Sequence, residues 1–181
     1  MNKLHVVPYD MSKRDIRLKD SSWRDDVKVK IDEFKPDLIA LSVTEDMWEL
    51  GVKILHEVKY YIKKNNTPVI CGGVFATFAP EIVIKEELID MVCVGEGENT
   101  LIDLCKKIDK KLDYSDVTNI WFKKKDKDIK KNPISKPVDI NQNPIIDVHQ
   151  FEENRLYRPM GGTVYIMLPV ETIRGCPYTC T

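Results

Sequence analysis

No stretch of this chain stays apolar for the ~20 residues that a membrane-spanning helix requires, and its start lacks the basic-then-apolar pattern of a secretory signal. An excess of one charge is also missing. The chain has 28 Lys and Arg against 29 Asp and Glu, a net charge of −1, and its pI is about 6.3. No positive field exists to hold nucleic acid or an anionic membrane surface. Histidine is scarce: His5, His56 and His149 have no Ser or Asp partner at a spacing that marks a catalytic set. Five cysteines is an odd number in a chain too long to be a disulfide-stapled miniprotein. Reduced thiols in a cytoplasm are the expectation. What is present suffices for a packed core, since 43% of the residues are hydrophobic and 31% charged. The 181 residues suit one large domain, or a domain with a tail.

Helical and strand patterns alternate along the chain. Trp23, Val27, Ile31 and Phe34 fall on one face of a helix over 20–34, with Ser21 or Ser22 as its cap and Lys35-Pro36 as its end. "DLIALSV" (37–43) then reads as a continuous apolar strand of the kind buried on both faces of a parallel sheet. Met47, Trp48, Gly51, Ile54, Leu55, Val58, Tyr61 and Ile62 mark one helix, and "PVICGG" a second strand. "PEIVIKEEL" is a short helix with Pro80 near its start. "DMVCVGEGE" supplies a third strand and its loop, and Leu101, Leu104, Cys105 and Ile108 the apolar face of a further helix. This order implies right-handed crossovers and a parallel sheet with its strands in chain order. After Asp113, "NIWFKKKDKDIKKNP" looks like a hairpin with a charged, solvated tip, and 132–157 like a linker.

Parallel sheets place their chemistry at the carboxyl ends of the strands. Here those ends run into Ser42-Val43-Thr44, into Gly72-Gly73-Val74-Phe75-Ala76-Thr77, and into Gly95-Glu96-Gly97-Glu98. Small hydroxyls offer hydrogen bonds without filling a groove, and glycines let a ligand lie against backbone. Each loop alone is an ordinary strand-to-helix turn. All three on one rim favour a binding site. Glu96 reads as a loop hydrogen-bonding residue and Glu98 as a helix-start carboxylate, Cys71 and Cys93 as small core residues, and the three histidines as packed or exposed side chains.

"KPDLIALSVTED", "TPVICGGVFATFAPE" and "DMVCVGEGENTLIDLC" resemble the cobalamin-binding domain at the front of many radical S-adenosylmethionine enzymes. Ser42-Val43-Thr44 and Gly72-Gly73 resemble that fold's serine motif and double glycine. The resemblance implies a Rossmann-like, flavodoxin-like domain whose groove accepts the nucleotide tail of cobalamin. It implies cofactor contacts from Ser42, Val43, Thr44, Gly72, Gly73, Val74, Phe75, Thr77, Gly95, Glu96 and Gly97. It runs from about residue 35 to the closing "ETIRGCPYTCT". In the family, arginine, glycine and cysteine open a C-x-x-x-C-x-x-C loop. Cys176 and Cys180 therefore look like two of three thiolate ligands of a [4Fe–4S] cluster, whose open iron chelates S-adenosylmethionine. The third ligand would fall beyond Thr181.

The expected organisation is a lead-in segment and helix (1–34), a cobalamin-binding α/β domain (35–112), a hairpin and linker (113–170) and the start of a radical S-adenosylmethionine domain (171–181). The chain reads as a piece of a longer protein, short at both ends, with "KLHVVPYD" a linker in preference to a residual strand. No D-x-H-x-x-G motif occurs, and many relatives of this type also lack it. The resemblance implies a parent enzyme that transfers a methyl group from cobalamin, or performs a related radical rearrangement or ring closure. Its missing barrel would be this chain's partner, and the chain alone would not be catalytic. The alternative is a flavodoxin-like docking or sensor module that has lost cobalamin.

Overall fold

The three apolar runs form three parallel strands. β1 (Ile39–Ser42), β2 (Val69–Gly72) and β3 (Met91–Cys93) are neighbours in chain order, with Ala40 opposite Ile70 and Cys71 opposite Val92. The parallel arrangement expected from the sequence is borne out. Residues 69–71 and 91–94 are buried throughout, which is why these runs show no polar alternation. β1 is covered on one face only: Ile39 and Leu41 are half-buried, while Ala40 and Ser42 are exposed. The computed structural model describes residues 22–124, 128–150, 156–168, 170, 171 and 173–175. The 1–21 lead-in with "KLHVVPYD" and His5, the hairpin tip 125–127, and Cys176 and Cys180 lie outside the described residues. Residues Ser21–Val138 make one compact unit and Asp139–Thr181 belong to another.

The helices are α1 (Ser22–Phe34), α2 (Trp48–Glu57), α3 (Lys59–Asn65), α4 (Val74–Phe78), α5 (Pro80–Val83) and α6 (Glu98–Asp109). The single helix expected from Met47 to Ile62 is broken at Val58 (φ −102°, ψ 11°), whose N–H is shared between the Ile54 and Leu55 carbonyls. Leu55, Val58, Tyr61 and Ile62 are all buried across that break. α1 is tied to α2 by Glu57, which takes Arg24 at 2.8 Å and Lys28 at 3.1 Å. Phe34, expected on the buried face of α1, is 44% exposed, because the helix ends there and the chain turns at Lys35. Among the described residues no helix is long and apolar enough to cross a membrane.

Strand alternation divides the core between the two sheet faces. Val43, Val69, Cys71, Val92 and Trp121 pack with Leu55, Val58 and Val83 on one. Ile70, Met91, Cys93, Ile120 and Phe122 pack with Leu104 of α6 on the other.

The charged hairpin is part of this sheet. β4 (Ile120–Lys123) pairs antiparallel with β3, and β5 (Ile129–Lys131) antiparallel with β4, giving a mixed five-stranded sheet in the order β1-β2-β3-β4-β5. β4 is apolar towards both faces, so it needs an inner position. Lysine-rich β5 suits an edge, where charge discourages pairing with another chain, and the Lys131 ammonium sits 3.7 Å from the Trp121 ring centroid. In the second unit, β6 (Tyr157–Met160) and β7 (Thr163–Ile166) form an antiparallel hairpin around Gly161-Gly162. It begins where the sequence reading ends the linker, because two adjacent glycines supply the tight turn that such a hairpin needs.

α6 holds its sheet face through Leu104, which is fully buried. Leu104→Ala is expected to destabilise the protein by about 2–5 kcal/mol, the cost of a core leucine truncation. Urea unfolding followed by circular dichroism measures it, and a loss below about 1 kcal/mol would show that α6 is not anchored as described.

Candidate functional site

The carboxyl ends of β1, β2 and β3 lie on one edge, and backbone contacts knit their loops together. Val43 donates its N–H to the Gly72 carbonyl at 3.1 Å and accepts from the Phe75 N–H at 3.2 Å. Between these bonds, Gly73 adopts φ +93°, ψ −175°. A Cβ at Gly73 would stand 2.7 Å from the Val43 oxygen, 2.9 Å from its nitrogen and 3.0 Å from Ser42 Oγ. The sequence reading laid a ligand against the Gly73 backbone; in the structure the close neighbour there is the backbone of the β1 loop. The Val43 side chain is buried on the face opposite Ser42, so this residue brings only backbone to the rim. Ser42 and Thr44 are exposed, and the Thr44 hydroxyl donates to the Asp46 carboxylate at the start of a 3-10 turn, Glu45–Met47.

The other glycines of the rim are less crowded than Gly73. A Cβ at Gly72 would meet only Cys93 Cβ, at 3.6 Å, an ordinary contact. At Gly95 (φ +90°) it would meet nothing within 4 Å. At Gly97 it would come no closer than 3.7 Å, to Leu101 of α6. Ser42 is paired with Gly72 in the sheet register, and Ala40 precedes it on the same face. Ala40, Ser42 and Gly72 therefore make a low, small-residue floor, open on one sheet face and running to the Gly95–Gly97 loop.

The loop after β2 passes at once into a short helix. Val74, Phe75 and Thr77 belong to α4, with Ala76 buried, Val74 exposed and Phe75 half-buried against Trp48, ring centroids 5.4 Å apart. Thr77 Oγ1 donates to the Gly73 carbonyl at 3.0 Å and accepts the Gly95 N–H at 3.1 Å. It bridges the second and third loops. Glu96 accepts the Val138 N–H through its carboxylate, in keeping with the expected loop role, and Glu98 stands in the first turn of α6.

Sequence reasoning missed Ala40 as part of the floor, and missed Thr100 and Asn119, both 2% exposed, whose side chains meet behind the third loop. Asn119 sits at φ +65°, a conformation that asparagine tolerates better than most residues. Its place before the apolar β4 was the one available signal.

The remaining candidates take plain roles. Burial pushes the Cys71 thiol up to about 12. Burial, with a smaller effect of the Glu98 charge, pushes that of Cys93 up to about 11. Cys105 is exposed, contrary to its expected place on the apolar face, because the buried face of α6 centres on Thr100 and Leu104. His56 Nε2 lies 3.3 Å from Glu86 on the surface. Two hollows of about 420 and 700 Å³, lined in common by Asn66, Thr67 and Pro68, sit at the amino end of β2, away from the rim.

Residues 6–104 match the B12 binding domain family. The chain is 29% identical over 153 residues to the 4'-phospho-dehydrooxetanocin synthase of Priestia megaterium, covering 81% of this chain and 19% of that protein. It is 28% identical over 165 residues to the anaerobic magnesium-protoporphyrin IX monomethyl ester cyclase of Rubrivivax gelatinosus, covering 87% and 28%. The chain thus spans less than a third of the length of these two relatives. The cobalamin-dependent S-adenosylmethionine radical enzyme OxsB, solved with aqua-cobalamin bound, superposes with a TM-score of 0.57 at 26% identity, over 66% of this chain and 16% of that one.

Two measurements check the site geometry. Gly73→Ala should lower the melting temperature, since it combines a backbone conformation that is essentially restricted to glycine, worth about 1–3 kcal/mol, with backbone overlap at Val43, whereas Gly72→Ala should melt like the parent chain. Equal melting of the two would contradict the close approach. Alkylation of the native protein at pH 8 should modify Cys105 before Cys71 and Cys93, whose burial and raised thiol pKa values leave almost no thiolate at that pH.

Proposed function

Because this chain belongs to the B12-binding domain family, we propose that its rim accepts cobalamin, with the nucleotide tail laid along the floor of Ala40, Ser42 and Gly72. The observation that carries this reading is that floor: only the short Ala40 and Ser42 side chains stand on it, and it opens to solvent beside a glycine loop. The Ser42 hydroxyl is placed to hydrogen-bond the tail. Gly72 admits it against backbone, and Gly95 and Gly97 leave the far wall low. Thr44 is turned towards Asp46 and Thr77 towards Gly73 and Gly95, so these two act by holding the loops. Bound cobalamin would supply a cobalt centre able to carry a methyl group. Residues 35–112 would form the core of the binding domain.

We propose further that the longer protein is a radical S-adenosylmethionine enzyme. Cys176 and Cys180 would be two of three ligands of its [4Fe–4S] cluster, residues 171–181 would open its radical domain, and residues 113–170 would lead to it. The reaction would be methyl transfer or a related radical ring closure or rearrangement, ring closure being in keeping with the relative named as a cyclase. The substrate would be read by parts of the protein beyond this sequence.

Titration with hydroxocobalamin, followed by its visible spectrum, tests the binding reading. Ser42→Ala should weaken affinity about fivefold, the worth of one neutral hydrogen bond near 1 kcal/mol. Ser42→Leu should abolish binding, and because the Ser42 hydroxyl stands beside the tight turn at Gly73, its melting temperature is measured alongside to tell a blocked floor from a disturbed loop. Unchanged affinity in Ser42→Leu would remove the floor from the site. Failure of the parent chain to bind would shift the balance to a docking or sensor module.

A further inference from the structure

Behind the third loop lies a buried polar hub that the cofactor reading does not use. Asn119 is 2% exposed and held at φ +65°. Its Nδ2 lies 3.0 Å from each of three acceptors: the Glu96 carbonyl, Thr100 Oγ1 and Ser135 Oγ. An amide has two hydrogens, so one of these contacts is shared. Its Oδ1 accepts the Ser135 N–H at 2.6 Å, which fixes which way the amide points. Its backbone carbonyl accepts the Val94 N–H at 2.8 Å, and its own N–H donates to the Pro133 carbonyl at 3.0 Å. One residue therefore bonds both the loop that follows β3 and the segment that leaves β5. The two are tied a second time by the Val138 N–H on the Glu96 carboxylate.

The Gly95–Gly97 loop needs such support. Gly95 is exposed and has no heavy atom near the position of a Cβ, so packing does not set its course. Described bonds that hold it come from Thr77 on one side, from Asn119, Thr100 and Val138 on the other, and from the Leu101 N–H to the Gly97 carbonyl at 2.7 Å where α6 begins. We propose that Asn119 is a positioning residue for cobalamin binding. It holds the Gly95–Gly97 wall in its accepting shape and latches residues 133–138 to that wall, so that the two move as one unit. The affinity part rests on the cobalamin reading, whereas the latch stands on the geometry alone.

The test uses this chain and hydroxocobalamin. Asn119→Gly deletes the side-chain bonds of the hub and keeps its two backbone bonds, without penalising the positive φ, and Thr100→Val removes one partner at nearly constant shape. Asn132→Ala is the control. Asn132 is also a buried asparagine next to the hairpin, 8% exposed, but it serves the Ser115 and Val117 carbonyls instead of the rim. Asn119→Gly should weaken hydroxocobalamin binding about tenfold, as expected for a wall that loses one or two hydrogen bonds. Thr100→Val should weaken it less, and Asn132→Ala should leave it unchanged at comparable loss of stability. Amide hydrogen exchange should rise together at 94–97 and 135–138 in Asn119→Gly, with β1 and β2 unaffected. Parent-like affinity and exchange in Asn119→Gly would overturn the proposal, as would equal loss of binding in Asn132→Ala. If the parent chain itself fails to bind, the cobalamin reading and the affinity role fall together. Coupled exchange would still uphold the latch, and separate exchange would overturn it.

Discussion

The rim depends on one close approach, that of Gly73 to the backbone of Val43. A Cβ at Gly73 would fall 2.7 Å from the Val43 oxygen, a distance that only a missing side chain permits. Because the chain passes so close, Val43 can donate to Gly72 and accept from Phe75, which locks the exit of β1 to the start of α4. Thr77, on that short helix, then reaches the Gly73 carbonyl and Gly95. A single steric allowance thus propagates through three loops, and the open floor of Ser42 and Gly72 exists because those loops are held back from it.

The site is framed by polar contacts in which each buried group has a partner. Asn119 and Thr100 satisfy the back of the third loop, where unpaired amide or hydroxyl groups would each cost about 1–3 kcal/mol. The face towards solvent is left to glycine and serine. This division suits a groove for a large cofactor, with rigid support behind and little side-chain bulk in front. The buried thiols agree with it. Cys71 and Cys93 fill core space with their pKa values pushed up to about 12 and about 11, so they bring no nucleophile to the edge.

The mixed sheet gives the rim its second support. β4 is apolar towards both faces and takes an inner position beside β3. Asn119 comes just before it, at the level of the Gly95–Gly97 loop. Membership of the B12-binding domain family is consistent with this build, and the hairpin that completes the sheet begins beyond the residues that the family model matches.

Much was legible from the sequence alone. Runs such as 69–71 and 91–94 are apolar throughout because both faces are buried, and that signature survives without any neighbour being known. The loops after those runs could be placed on one edge, because strands that run parallel end on the same side of the sheet. Tertiary structure alone decided the rest. The need for glycine at 73 depends on where Val43 lies, 30 residues earlier in the chain. The exposure of Cys105 depends on how α6 is rolled on the sheet. The break at Val58, the entry of β4 into the sheet and the hub at Asn119 all depend on which groups meet across long sequence separations. Periodicity and turn chemistry report a residue's own surroundings along the chain, whereas these features are set by partners that only folding brings near.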